Sequence, residues 1–133
     1  MPKRLKTLDC IQKRDLLASD KVSPEEIREH AKSFLEDGLL IDAFNFYAKI
    51  QDKEGLEACK AAAFETADHG VLWKLVHSGL VEVTDDDWRA CAEQAIKIGK
   101  HRIAAYIFER LGDWESFSRL PKELDPRAER EGS

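Results

Sequence analysis

Apolar positions recur at helical spacing in two stretches of the chain, 23–59 and 84–120, which match without a gap at a shift of 61 residues. In each copy a first stripe has apolar residues at every fourth position, and a second stripe follows it. The first stripe pairs Ile27, Ala31 and Leu35 with Trp88, Ala92 and Ile96, and the second pairs Ala43, Tyr47 and Ile50 with Ala104, Phe108 and Leu111. Each copy therefore predicts two consecutive amphipathic helices.

Residues that start and stop helices also match between the copies. Ser23 and Thr84 stand before the first helix, with an acidic residue three positions later in each case, which predicts a capping box. Gly38 and Gly99 are expected to end that helix. A further matched pair, Asp52 and Asp113, is expected to cap the next helix.

The whole pattern predicts an all-α protein of about eight helices. They are expected near 4–18, 24–37, 40–50, 53–68, 71–79, 85–98, 101–111 and 113–120. Gly70 is expected to break the fourth helix, and the middle pair, 53–79, is interpreted as a shorter, degenerate hairpin. Residues 1–120 are thus predicted to form one helical domain, followed by a polar tail at 121–133.

Each copy resembles a tetratricopeptide-type helix pair. In that family a large apolar residue precedes a small one in the first helix, and a small residue precedes an aromatic one in the second. Here those positions are Ile27, Ala31, Ala43 and Tyr47, then Trp88, Ala92, Ala104 and Phe108. Gly55 and Ser116 replace the usual proline, and coatomer- and clathrin-like repeats have a similar pattern. The resemblance implies an α-solenoid, a right-handed stack of antiparallel hairpins with a concave face.

The resemblance also implies a binding surface along the first helix of each pair. The residues expected there are Glu25, Arg28 and Lys32, with Asp86, Arg89 and Glu93 in the second copy. Arg28 and Arg89 are identical between the copies and suit carboxylate ligands. The alternative is that both arginines form salt bridges along their own helices, for example with Glu25 or Glu93.

Charge and composition disfavour several classes of function and location. Residues 1–22 hold six Lys or Arg against three Asp, while the whole 133-residue chain has a net charge of −5. An acidic body disfavours nonspecific nucleic-acid binding. No apolar stretch has the length of a membrane span, the start does not look like a signal peptide, and three cysteines without a CxxC motif indicate reduced thiols in the cytoplasm.

No catalytic motif is present, so we expect no enzyme activity, cofactor or metal. The run Asp85–Asp87 is interpreted as helix capping. A surplus of apolar residues at Leu39, Leu40, Phe44 and Phe46 is expected to be core covered by the N-terminal helix, with a partner-binding patch as the alternative.

The leading hypothesis is an adaptor that binds another protein or a peptide, as a monomer or weak homodimer. A second hypothesis is a structural subunit of a larger assembly that uses the ends of the stack. A third is a small-ligand or metal-dependent enzyme with a polar cavity around some of His30, Cys59, Cys91 and His101.

Overall fold

A computed structural model describes residues 8–121 as eight α-helices, without any strand in that range. The helices are α1 (Cys10–Ala18), α2 (Pro24–Glu36), α3 (Leu40–Lys49), α4 (Lys53–Thr66), α5 (His69–Ser78), α6 (Asp85–Lys97), α7 (His101–Leu111) and α8 (Trp114–Ser118). The all-α prediction and the number of helices are confirmed. Residues 1–7, part of the first predicted helix, and 122–133, nearly all of the predicted tail, lie outside the described range.

Side-chain caps begin the helices where the sequence predicts them. Ser23, Asp52, Thr84 and Asp113 each accept a hydrogen bond from the backbone N–H three residues later. Thr84 and Asp87 form both bonds of a capping box, whereas Ser23 forms only the forward one. The acidic run at 85–87 thus begins α6 as expected.

The first helix differs from its prediction. Asp9 lies outside the helix and accepts a hydrogen bond from the Gln12 backbone N–H, so α1 begins at Cys10. Ile11, an apolar residue of this helix, is 60% exposed. The helix nevertheless contacts α3, where Lys13 Nζ lies 2.8 Å from Asp42 Oδ2. The basic N-terminal segment therefore meets the acidic body at this point.

The middle pair is neither short nor broken at Gly70. Its first helix, α4, has 14 residues, one more than α2 or α6. The chain turns earlier than predicted, at Ala67, which adopts a left-handed conformation with φ 51°. Asp68 then caps α5 through Val71, which places Gly70 within that helix. The predictions of a shorter middle pair and of a break at Gly70 are therefore wrong.

Helices pack in a regular order along the chain. The pairs α2–α3, α4–α5 and α6–α7 each pack together, and α4 also contacts both α2 and α6. Helix α3 packs on α4 and α5 as well, while α8 lies against α7. Side chains also connect α5 with α6 and α7, because Trp73 contacts Trp88 and Arg110.

One apolar core runs through these helices. Both predicted stripes contribute to it through Ile27, Ala31, Ala43, Tyr47, Ala92, Ala104 and Phe108, all of which are buried. The first stripe of the second copy departs from the prediction, because Ala95 is buried while Ile96 is 38% exposed. Of the apolar surplus, Leu40, Phe44 and Phe46 are buried, as the core interpretation predicts, and Leu39 is exposed.

No helix within residues 8–121 combines the length and apolar character that crossing a membrane requires.

Candidate functional site

Arg28, one of the predicted binding residues, is held by the aspartate that follows its own hairpin. Its Nε lies 2.8 Å from Oδ2 of Asp52, the residue that caps α4. The pKa of Asp52 is lowered, first by this hydrogen bond and then by the one donated by the Gly55 backbone. Arg28 thus ties α2 to the start of α4.

Arg89 makes the corresponding contact in the second copy. Its Nε lies 3.5 Å from Oδ2 of Asp113, the cap of α8, and its Nη1 lies 3.5 Å from Oδ1 of Asp86. The pKa of Asp113 is lowered chiefly by hydrogen bonds from Ser116, with a smaller contribution from Arg89. The same arginine-to-cap link is therefore built twice.

The other predicted site residues remain on the surface. Glu25, Lys32, Asp86 and Glu93 are exposed. Lys32 and Arg28 line a small cleft of about 360 Å³ beside Tyr47 and Asp52, and no residue of the second copy lines it. The structure therefore brings together two predicted residues of the first copy, Arg28 and Lys32. Arg28 and Arg89 belong to different helix pairs, and each binds a different aspartate.

The suggested thiol or metal site includes two buried cysteines and a histidine that packs on an aromatic ring. Cys59 and Cys91 are fully buried, and burial raises the pKa of both thiols to about 11. His30 packs edge-on against Phe46, with 6.0 Å between ring centroids. Within residues 8–121, no group of three or more His, Cys, Asp or Glu side chains is arranged to hold a metal ion.

A cleft about twice the volume of the one beside Arg28 lies elsewhere, among α5, α6, α7 and α8. It has a volume of about 700 Å³, and all three tryptophans of the chain line it. We call it the tryptophan groove. Its lining consists of Trp73, Asp85, Trp88, Tyr106, Ile107, Glu109, Arg110, Leu111 and Trp114.

Aromatic contacts join the helices around the groove. The rings of Trp73 on α5 and Trp88 on α6 lie 5.0 Å apart between centroids. The guanidinium of Arg110, from α7, lies 5.2 Å from the centroid of the Trp73 ring, at cation–π distance. Tyr106, also on α7, meets the ring of His69 at 5.2 Å. These contacts connect α5 with α6 and α7 around the groove.

Two of the aromatic side chains are presented to solvent. Trp114 is 56% exposed and Tyr106 is 40% exposed. Exposure of such large aromatic side chains to water is unfavourable, because their burial would stabilise the protein. Ile107 and Leu111 give the groove an apolar base, and Asp85 and Glu109 add carboxylates. Such a surface can hold apolar rings and cationic groups.

Sequence reasoning did not find this groove. It placed Trp88 in a packing stripe and Trp73 in a short helix, and it gave Trp114 no role. The available signal was that the three tryptophans fall on separate predicted helices in the second half of the chain. The order in which those helices pack brings the three indole rings to one surface.

Comparisons with models of known protein families, with curated proteins and with solved structures found no match to this chain.

Proposed function

We propose that this protein is an adaptor that binds a peptide segment of a partner protein, and that the tryptophan groove is its binding site. The observation that carries the proposal is the convergence of Trp73, Trp88 and Trp114 on one open cleft, beside an exposed tyrosine. Tryptophan and tyrosine are enriched where proteins bind partners, because they bury a large area with few rotatable bonds.

The proposed scaffold is a right-handed, tetratricopeptide-like stack of hairpins. Two observations support it: the contacts of α4 with both α2 and α6, and the matching caps at Ser23, Asp52, Thr84 and Asp113. Stacked hairpins provide extended binding surfaces without any chemistry of their own. A cytoplasmic location is part of the proposal, since Cys10, Cys59 and Cys91 are free thiols.

The groove is a better candidate than the surface expected from the family resemblance. On that surface the two cations that match between copies, Arg28 and Arg89, already have aspartate partners within the chain. Separating either pair to bind a ligand would leave a carboxylate without its partner, which offsets much of the gain. A ligand that binds to the exposed rings of the groove would break no ion pair of this kind.

Selection from a displayed random-peptide library tests the proposal. Selected peptides are then measured against the wild type, Trp114→Ala and Tyr106→Ala, together with a control that reverses two exposed charges on the other surface, Lys32→Glu/Glu93→Lys. We expect peptides that lose at least about tenfold in affinity with either aromatic variant and keep it with the control.

Two results of this selection would contradict the proposal. Peptides that depend on Lys32 and Glu93 but not on Trp114 would move the site to the surface implied by the resemblance. If no peptide is selected at all, although circular dichroism shows a folded protein, the peptide-binding function is wrong.

A subunit role in a larger assembly is the second candidate. It is favoured by exposed aliphatic residues on the N-terminal half, where Ile11, Leu39 and Ile41 are 60%, 44% and 50% exposed. This role predicts self-association or partner assembly that Ile41→Lys abolishes and Trp114→Ala does not. Sedimentation velocity of the two variants separates the two functions.

A further inference from the structure

The charges of the tryptophan groove favour a cationic ligand. Asp85, in the first turn of α6, and Glu109, on α7, line the groove, and the only cation there is Arg110. No ion pair of Asp85 or Glu109 occurs with a partner inside residues 8–121, whereas Arg110 lies over the ring of Trp73. A ligand that brings positive charge would therefore meet two carboxylates.

The contact of Arg110 with Trp73 indicates how the groove treats such a ligand. A guanidinium already rests on an indole ring of the wall at 5.2 Å. Further indole and phenol faces at Trp114 and Tyr106 are exposed and offer the same attraction to a cation, or to the polarised C–H groups of a proline ring. The groove thus combines ring surfaces and carboxylates in one cleft.

The residues that line the groove favour one common mode of peptide recognition over the others. Strand addition needs an open sheet edge, and residues 8–121 contain no strand. A bound helix needs a long aliphatic trough for anchors over two turns, but Ile107 and Leu111 are the only aliphatic residues in the lining. Polyproline II segments dock on aromatic ribs, and they lose little conformational entropy because they are already extended.

We propose that the tryptophan groove binds a proline-containing peptide segment in the polyproline II conformation that carries arginine or lysine. The proline rings pack on Trp114 and Tyr106, and the basic side chains meet Asp85 and Glu109. This inference rests on the proposed function and specifies its ligand.

Synthetic decapeptides of matched length test both parts of the inference. The probe is a decapeptide of proline residues in which two positions are arginine. One control peptide has glutamate in place of arginine, and the other has alanine in place of proline. Binding to the full chain is followed by the change in tryptophan fluorescence and by calorimetry. We expect the probe to bind at least about tenfold more tightly than either control, with an affinity that falls as salt is raised.

Variants of the groove assign the contacts. Trp114→Ala should weaken the probe at least about tenfold. Asp85→Asn/Glu109→Gln should weaken binding of the probe roughly three- to tenfold and reduce the salt dependence of that binding. The same variant should not weaken binding of the glutamate peptide. Lys32→Glu/Glu93→Lys, outside the groove, should leave the affinity of the probe unchanged. All of these side chains except Glu93 and Lys32 line the groove, and all are on the surface.

The outcomes are distinguishable from failure of the proposed function. If library peptides depend on Trp114 but the proline–arginine probe binds no better than its controls, the inference is wrong and the peptide-binding function stands. If the glutamate peptide binds as tightly, the charge argument is overturned. If the full chain forms a dimer in sedimentation that Trp114→Ala dissociates, a second copy is the occupant and the inference is overturned.

Discussion

At the scale of single residues, Gly55 packs directly against the ring of Tyr47. Gly55 is buried in the first turn of α4, and a Cβ atom added to it would overlap the Tyr47 ring. We expect Gly55→Ala to lower the free energy of unfolding by about 2–3 kcal/mol, because the ring cannot move without disturbing the core. Urea denaturation followed by circular dichroism measures the change.

Gly70→Ala is the matched control for that substitution. Gly70 also lies in the first turn of a helix, but its added Cβ would meet only Asp68 Oδ1 at 3.4 Å, an ordinary contact. We expect this variant to be unchanged or more stable by up to about 1 kcal/mol. Equal losses in both variants would contradict the close approach at Gly55.

The three thiols differ in burial, which predicts their reactivity. Cys10 is exposed, whereas Cys59 and Cys91 are fully buried and their pKa values are raised to about 11 by burial. Because the thiolate is the reactive form, we expect a thiol reagent at neutral pH to modify Cys10 alone in the native protein. Mass spectrometry counts the modified sites. Modification of all three at the same rate would mean that the core opens readily.

At the scale of elements, three ion pairs link successive hairpins. Arg28 joins α2 to the cap of α4, Lys60 of α4 contacts Asp87 of α6 at 2.9 Å, and Arg89 joins α6 to the cap of α8. Each link includes either a helix cap, Asp52 or Asp113, or the N3 residue of a capping box, Asp87. The same residues therefore start a helix and hold it against its neighbour.

The link at Asp52 predicts a pH dependence. Its pKa is lowered in the folded protein, first by the hydrogen bond from Arg28, below the value of about 3.9 for an unfolded chain. The stability that it contributes is therefore fully present above about pH 4 and is lost as the pH falls through the folded pKa. Asp52→Asn keeps a capping side chain but not this charge.

We expect Asp52→Asn to be less stable than the wild type at pH 7, by a margin that becomes smaller when the pH is lowered to about 2.5. Denaturant titrations at both pH values measure the two differences. Asp20→Asn, which removes an exposed carboxylate in the turn after α1, serves as the control. A loss of stability in Asp52→Asn that is the same at both pH values would contradict the ionic link.

Helices were predictable where periodicity and caps agreed. The bounds of α2, α3, α6 and α7 lie within one residue of the predictions, because Ser23, Thr84, Gly38 and Gly99 are local signals. The turn at Ala67 was missed since alanine rarely adopts a left-handed conformation, and tertiary packing of this fully buried residue overrides its local preference. The tryptophan groove was missed because it depends on contacts between helices.

At the scale of the whole molecule, the core is continuous from α2 to α7. We therefore expect the chain to unfold in one transition, although repeat arrays can unfold in parts. All three tryptophans report on the region from α5 to α8, while circular dichroism reports on every helix. Their urea midpoints should coincide. An earlier loss of the tryptophan signal would show that the part that carries the groove unfolds independently.

We propose the tryptophan groove as the place where this protein binds its partner. The most direct test is a titration of ¹⁵N-labelled protein with a selected peptide, followed by nuclear magnetic resonance. The chain has three indole N–H groups, at Trp73, Trp88 and Trp114, and all of them belong to the groove. We predict that the indole signals shift with the peptide and that the amides of Arg28 and Lys32 do not. Unmoved indole signals, with shifts at Arg28 and Lys32, would contradict the account.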